Sequence, residues 1–214
     1  MHAKINILIH GFGGAPDELR YLADYLERRG QAVVLVSLEG QRHGQWLRSA
    51  LKIMAGAVKD GGKVNLIGFS MGGLIAANLA AAFPASVNKI VLINTPIYFW
   101  NFKIILTDVF RGDRERMKYY FANIKNSGPG PALEFLKILA KSKRVLRKAT
   151  APALILQCER DETVRPKSAV YLKAGLGGAT WLKRYKGGCH QVFFERGGLR
   201  ERICFDVLLF LENY

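Results

Sequence analysis

Hydrophobic and polar positions along this chain form short apolar runs separated by longer stretches with helical periodicity. Six runs, most of them rich in valine, isoleucine and leucine, have the length and character of buried strands. They are predicted at residues 4–10, 32–37, 63–69, 89–94, 153–158 and 180–185, and helices are predicted at 16–29, 45–58, 71–83, 165–174 and 199–212. This alternation is typical of βαβ units and predicts an α/β fold with a mostly parallel sheet of about six strands.

One long segment interrupts the alternation. Residues 95–148 contain no further predicted strand, but they hold two aromatic clusters, a Gly-Pro-Gly-Pro sequence and a basic amphipathic run, ALEFLKILAKSKRVLRKA. We therefore expect an insertion after the fourth strand that forms a helical cap over the carboxyl edge of the sheet. The predicted division is a core of residues 1–96 and 149–214 and a cap of residues 97–148.

The composition limits the number of domains and the cellular setting of the protein. With 214 residues, 50% hydrophobic and 23% charged, the chain suits one large globular domain. No apolar run approaches the length of about 18 residues that a membrane span needs, and the N-terminus lacks a signal-peptide pattern. Three cysteines are too few for a disulfide framework. These features favour a reducing, cytoplasmic setting.

The net charge of +15 is unevenly distributed along the chain. Residues 101–150 carry 12 Lys and Arg against 4 Asp and Glu, which is more than half of the excess. Such a surface can attract an anionic substrate, the head groups of anionic lipids at a membrane surface or nucleic acid, or it can be a solvated basic face. Because no nucleic-acid-binding module accompanies it, nucleic acid is the weakest of these interpretations.

The first candidate for chemistry is the sequence GFSMGG, between the third predicted strand and its helix. A Gly-Xaa-Ser-Xaa-Gly turn at such a junction is the nucleophile elbow, which exposes the serine hydroxyl above the sheet edge. Gly68 and Gly72 supply the small neighbours that the turn needs. The pattern predicts Ser70 as a nucleophile at a helix N-terminus, where developing negative charge is stabilised. The alternative is a glycine-rich turn with a capping serine.

A serine nucleophile needs a general base, and the base needs an acid that orients it. Loops at the carboxyl ends of parallel strands converge, and His190 lies in the loop after the last predicted strand. His10, in the first such loop, is the rival base, although ordering of that loop explains it better. Asp161 lies in the loop after the fifth strand, within QCERDETV, where Glu159 and Glu162 are rival acids.

The sequence HGFGG at 10–14 is a candidate for binding the oxyanion of an acyl-transfer reaction. Acyl transfer needs two N–H donors for the oxyanion, one from the residue after the nucleophile and one from the first strand–helix loop. Met71 and Phe12 are the predicted donors. Glycines in this loop let the backbone approach a substrate, so Gly11 is a predicted substrate contact.

Together these segments resemble the α/β-hydrolase superfamily, with the strongest likeness to small bacterial carboxylesterases and monoacylglycerol lipases. The resemblance spans nearly the whole chain and is weakest in the cap. After the elbow, its most specific match is the sequence PALILQCERDETVRPKSA. It implies a three-layer sandwich that lacks the first two strands of the full hydrolase sheet. It also implies a catalytic triad of Ser70, Asp161 and His190, and the preference for Asp161 over Glu162 depends on it. LEGQRHGQ resembles a Gly-His-Gly loop of such enzymes, which implies that His43 lies near the pocket.

The predicted function is hydrolysis of carboxylic esters with short to medium acyl chains by a lipase-like serine esterase. Tyr98 and Trp100, from the aromatic part of the cap, are predicted to contact the substrate. Alternatives are a thioesterase or acyltransferase on an anionic acyl carrier, carbon–carbon bond hydrolysis, and a non-catalytic binding protein on the same scaffold. No metal-ligand spacing and no dinucleotide-binding loop occurs in the sequence, so no metal or cofactor is expected.

Overall fold

A single parallel sheet forms the centre of the protein. The structure, a computed structural model, describes residues 4–59, 61–99, 129–195 and 197–213. Within them the sheet has six strands, all paired in parallel, which confirms the predicted fold class. The strands are β1 (Ile5–Ile9), β2 (Val33–Val36), β3 (Val64–Phe69), β4 (Val87–Ile93), β5 (Ala153–Cys158) and β6 (Thr180–Tyr185), and their order in the sheet is β2-β1-β3-β4-β5-β6.

Helices cover both faces of this sheet, as expected of a three-layer sandwich. The described helices are α1 (Arg20–Glu27), α2 (His43–Ala57), α3 (Met71–Ala82), α4 (Pro129–Val145), α5 (Lys167–Gly175) and α6 (Gly198–Asn213). Side chains alternate along β1, so Ile7 and Ile9 join the core under α2, α3, α4 and α5, whereas Leu8 joins the core under α1 and α6. None of the helices in the described residues is both long enough and apolar enough to span a bilayer.

The strand order places the loops of interest at one edge. All carboxyl ends of a parallel sheet lie at the same edge, and ligands bind where the strand order reverses. Here the chain runs from β1 outward to β2 and returns to β3 on the other side of β1. The loop after β1 and the turn after β3 therefore flank the switch point, with the loops after β5 and β6 further along the same edge.

Helix α4 is the described C-terminal part of the predicted cap. Ile138 is fully buried and Leu139 nearly so, both in the core beneath α3. The Ser142 hydroxyl of α4 accepts a hydrogen bond of 2.7 Å from the side-chain amide of Asn78 on α3. The latter part of α4 is thus packed against the core, while its first turns approach the carboxyl edge. The rest of the predicted cap, residues 100–128, lies outside the described residues, and the boundary at 148 stays a prediction.

Candidate active site

Ser70 occupies a strained turn between β3 and α3. Its φ of 52° and ψ of −123° place it in a backbone region that residues with a side chain rarely adopt. Asn94 is the other described non-glycine residue with a positive φ. Such strain persists only where the surrounding structure enforces it, often at functional sites. Here the Ser70 N–H donates to the Ile93 carbonyl of β4 at 2.9 Å, which holds the turn at the sheet edge.

The glycines beside Ser70 are required by close backbone contacts. A Cβ on Gly68 would overlap the backbone of Gly72, and a Cβ on Gly72 would overlap the carbonyl oxygen of Ile9. Neither overlap can be relieved by turning a side chain, because the neighbouring atoms belong to the main chain. The absence of a side chain at Gly72 therefore lets the first turn of α3 lie directly against the end of β1.

Replacing Gly72 with alanine should therefore destabilise the protein and disrupt the turn. Overpacking of this kind costs about 1–3 kcal/mol and more where backbone must move, so we expect a loss of about 3 kcal/mol in urea unfolding together with loss of activity. The matched control is Gly56→Ala in α2, where a Cβ would meet no atom within 4 Å. That variant should gain about 0.5–1 kcal/mol, because alanine favours a helix. Equal stability of the wild type and the Gly72 variant would contradict the overlap.

Three side chains from different loops meet beside this turn. His190 Nε2 lies 3.0 Å from Ser70 Oγ, and His190 Nδ1 lies 2.9 Å from Asp161 Oδ2. All three residues are at least nine-tenths buried. The other carboxylate oxygen of Asp161 accepts the N–H groups of Thr163 and Val164 at 2.9 and 2.7 Å, which fixes its orientation. With a proton on Nδ1, the His190 ring donates to Asp161 and can accept the serine proton at Nε2.

The surroundings of His190 favour its protonated form. Burial disfavours an imidazolium, but the carboxylates of Asp161, Glu162 and Glu18 outweigh burial and raise the pKa of His190 above its usual range. A ring that takes up the serine proton would therefore be stabilised by the charges around it.

The rival base, His10, has a different role in the structure. Its Nδ1 donates to the Gly11 carbonyl at 2.9 Å, and its Nε2 accepts the N–H of Leu38 at 3.2 Å. Burial lowers the pKa of His10, which agrees with a neutral ring that uses both nitrogens in fixed hydrogen bonds. His10 therefore ties the loop after β1 to the loop after β2.

A cavity of about 240 Å³ lies between these two loops. Both predicted oxyanion donors, Phe12 and Met71, are in its wall, and so is Gly11. Gly11 also lies against Ser70, since a Cβ there would be 3.3 Å from the Ser70 Cβ. The remaining wall residues are His10, Gly13, Gly14, Leu38, Gly40, Gln41, Trp46 and Pro131.

Aromatic rings close one side of this cavity. The Phe12 ring packs edge-on against Trp46, with centroids 5.7 Å apart, and it also contacts Phe135 of α4 at 5.4 Å. The indole N–H of Trp46 donates to the Gly40 carbonyl at 3.0 Å, which fixes the ring. The cavity therefore has an apolar wall suited to a hydrocarbon group of a substrate.

The other predicted substrate contacts are placed differently. The His43 ring, at the start of α2, pairs with Glu134 of α4 at 2.5 Å and is not in the cavity wall. The Tyr98 ring lies under the ammonium group of Lys167, 4.0 Å from its centroid, and is also absent from that wall. Trp100 lies outside the described residues. The cavity thus gives no support to a substrate contact of His43 or Tyr98.

Two polar side chains hold the backbone of His190, and their contacts were not predicted from the sequence. Glu162, the rival acid, accepts the His190 N–H at 3.1 Å instead of contacting the ring. Burial, and next the charge of Asp161, raise the pKa of Glu162. Asn94 donates to the His190 carbonyl at 3.0 Å and accepts the Cys158 N–H at 2.9 Å. The available signal was an asparagine as the last residue of the predicted strand 89–94, at the same edge as the other loops.

Comparisons with known proteins agree with the fold described above. A family model described as an alpha/beta hydrolase fold matches residues 7–114, half of the chain. The thermostable monoacylglycerol lipase of Bacillus sp. (strain H-257) is 24% identical, over 79% of this chain and 75% of that protein. A solved structure from work on LipS and LipT, two metagenome-derived lipolytic enzymes, has a TM-score of 0.79 at 20% identity and covers 99% of this chain and 95% of its own. The monoacylglycerol lipase of Paleococcus ferrophilus gives a TM-score of 0.75 at 16% identity, with 97% and 93% covered.

Proposed function

The chain belongs to the α/β-hydrolase fold family, and from this premise we propose that it is a serine hydrolase that cleaves carboxylic esters. The observation that carries the proposal is the continuous hydrogen-bonded series Ser70–His190–Asp161 beside an apolar cavity. A non-catalytic scaffold has no need for a strained serine whose hydroxyl lies 3.0 Å from a buried imidazole nitrogen.

In the proposed mechanism, Ser70 Oγ attacks the ester carbonyl carbon while its proton passes to His190 Nε2. The oxyanion that forms accepts hydrogen bonds from the backbone N–H groups of Phe12 and Met71. The carbon–oxygen bond to the alcohol then breaks, His190 protonates the departing alcohol, and an acyl-enzyme remains. A water molecule gives its proton to His190 and attacks the acyl carbon, and the proton returns to Ser70 as the carboxylic acid leaves. Asp161 keeps the Nδ1 proton in place and stabilises the imidazolium.

The cavity supports an uncharged acyl group as the part of the substrate that binds there. Its described wall contains the apolar residues Phe12, Leu38, Trp46, Met71 and Pro131, the uncharged polar residue Gln41 and the neutral ring of His10, and no Lys, Arg, Asp or Glu. A volume of about 240 Å³ is at the small end for ligand sites, which favours short to medium chains over long ones.

We further propose that residues 97–148 act as the cap above this cavity. In the described part, α4 supplies Pro131 to the cavity wall and Phe135 to the ring contact with Phe12. Leu133 and Leu136 are about half exposed on α4, and Lys141 and Arg144 on the same helix are also exposed. This combination supports contact with an anionic lipid surface as a source of ester substrates.

A series of p-nitrophenyl esters tests the proposed substrate class. We expect kcat/KM to rise from acetate to a maximum between butyrate and octanoate, by about fourfold per methylene, since each buried CH₂ contributes about 0.8 kcal/mol. Palmitate should be poorer because it exceeds the cavity. Trp46→Leu should move the maximum to longer chains, since it removes the ring that closes the cavity against Phe12.

The matched control for the ester series is Trp181→Leu. Trp181 lies on β6 and packs against Phe210 of α6, away from the cavity. That variant should keep the wild-type chain-length profile. Acyl-CoA hydrolysis faster than that of every ester would instead favour the thioesterase alternative.

A further inference from the structure

The carboxylate of Glu18 lies between two loops of the candidate active site. One of its oxygens accepts the backbone N–H of Gly11 at 2.9 Å, and the other accepts the side-chain amide of Gln191 at 3.1 Å. Gly11 follows β1, and Gln191 directly follows His190, so one side chain bridges the two loops. Glu18 belongs to the 3-10 turn Pro16–Leu19, which the fully buried Leu19 anchors in the core.

Glycines make room for this carboxylate. A Cβ on Gly14 would overlap the Glu18 carboxylate, and a Cβ on Gly11 would lie 3.1 Å from its Oε2. From the sequence, the glycines of HGFGG are predicted to let the backbone approach a substrate. The structure adds a second reason, since two of these glycines surround the Glu18 side chain.

The hydrogen bonds of the 10–14 loop leave the Phe12 N–H available to a ligand. The Gly11 N–H is taken by Glu18, and the Gly14 N–H donates to the Gly11 carbonyl at 3.4 Å. Among the described residues, neither the Phe12 N–H nor the Gly13 N–H has an acceptor, and Phe12 is the one that directly follows Gly11. The bond from Gly11 to Glu18 fixes the backbone immediately before Phe12, and so it restricts the direction in which the Phe12 N–H points.

We infer that Glu18 is a positioning residue, which orients the Phe12 N–H through Gly11 and holds this loop beside His190 through Gln191. The inference rests on the proposed function, because an oxyanion donor matters only if Ser70 attacks a carbonyl. Glu18 itself touches no reacting atom in this scheme.

The negative charge of Glu18 has a separate, measurable effect. Among the described residues, the carboxylates of Asp161, Glu162 and Glu18 lie close enough to His190 to raise its pKa against the effect of burial. Removing the charge of Glu18 should therefore lower the pKa of His190. Since the base must be neutral, the acid limb of the kcat/KM profile should move to lower pH.

Two substitutions of Glu18 separate its hydrogen bond from its charge. Glu18→Ala removes both, and kcat should fall about 10- to 100-fold with KM little changed, because loss of one complete oxyanion donor costs about 10²- to 10³-fold. Glu18→Gln keeps an acceptor for the Gly11 N–H, so its plateau kcat should stay within about threefold of wild type. Both variants should show the acid limb at lower pH.

Two further variants complete the set. Gln191→Ala breaks only the bridge to the His190 loop and should give a kcat between those of the two Glu18 variants. Asp17→Ala is the matched control, because Asp17 lies in the same turn with a side chain that is 83% exposed and pairs with Arg20. It should match wild type in rate and in pH profile.

Hydrogen exchange provides a readout that does not depend on activity. The Gly11 amide should exchange faster in Glu18→Ala than in wild type, and Glu18→Gln should restore its protection. Suppose that Ser70→Ala is inactive but Glu18→Ala keeps the wild-type kcat and the wild-type exchange protection of the Gly11 amide. That result would reject the role of Glu18 without contradicting the serine mechanism. The proposal would also be overturned if Glu18→Ala and Glu18→Gln lost the same factor in kcat and the same free energy of unfolding. Such a result indicates that Glu18 has a purely structural role.

Discussion

Replacing Ser70 with alanine should abolish ester hydrolysis, with kcat lower by about 10⁶-fold, the size of the effect when a serine protease loses its nucleophile. The change removes one oxygen atom and keeps the Cβ, so the strained turn keeps its backbone contacts. Among the described residues, the hydroxyl makes its hydrogen bond to His190 at 3.0 Å, so little else in the core is disturbed. The loss of activity is measured with p-nitrophenyl butyrate, and the retained stability is measured as the urea unfolding midpoint of the same preparation.

The control for the Ser70 variant is Ser86→Ala. Ser86 lies in the 3-10 turn before β4, at the amino edge of the sheet, and its replacement should leave kcat unchanged. A fluorophosphonate should add covalently to the peptide that contains Ser70 in the wild type and fail to do so in Ser70→Ala. Ester turnover by Ser70→Ala within tenfold of wild type would remove the serine mechanism.

Asp161→Asn should lower kcat by about 10⁴-fold, as in the serine proteases whose orienting acid is made an amide. The amide can still accept the N–H groups of Thr163 and Val164, so the loop should keep its shape. It cannot hold a proton on His190 Nδ1, and it no longer stabilises an imidazolium. Asp161 is among the charges that raise the pKa of His190. The residual activity should therefore persist to lower pH than that of the wild type, which a pH profile of kcat/KM measures.

Glu162→Gln decides between the two neighbouring acids. Glu162 accepts the His190 backbone N–H, and glutamine retains an acceptor for that bond. We expect a loss of about tenfold or less, because the imidazole keeps its partner in Asp161. A larger loss in Glu162→Gln than in Asp161→Asn would mean that Glu162 is the orienting acid.

The fold could be predicted from the sequence because its central strands are buried on both faces. A parallel strand of this kind is a continuous apolar run between turn residues, and the predicted bounds of the fully buried β5 match the structure to the residue. The elbow was equally visible, since the residues that shape it are neighbours in the chain. Local patterns therefore identified Ser70 and the loops that surround it.

The contacts that support the site depend on residues far apart in the chain. Glu18 meets Gln191 across 173 positions, and Asn94 meets His190 across 96. Nothing near Glu18 in the sequence distinguishes it from a solvent-exposed acid in a first helical turn. For α4, the amphipathic pattern indicated an apolar face but not its partner, and only the packing of Ile138 and Ser142 identifies α3 as that partner.

The wall of the cavity has a practical consequence for enzyme engineering. Phe12 and Met71 lie in the wall of the cavity that we propose receives the acyl group, whereas the proposed mechanism uses only their main-chain amides. Every amino acid except proline carries such an amide. Libraries at Phe12, and apolar replacements at the buried Met71, can therefore reshape selectivity for the acid moiety while the proposed oxyanion donors stay in place.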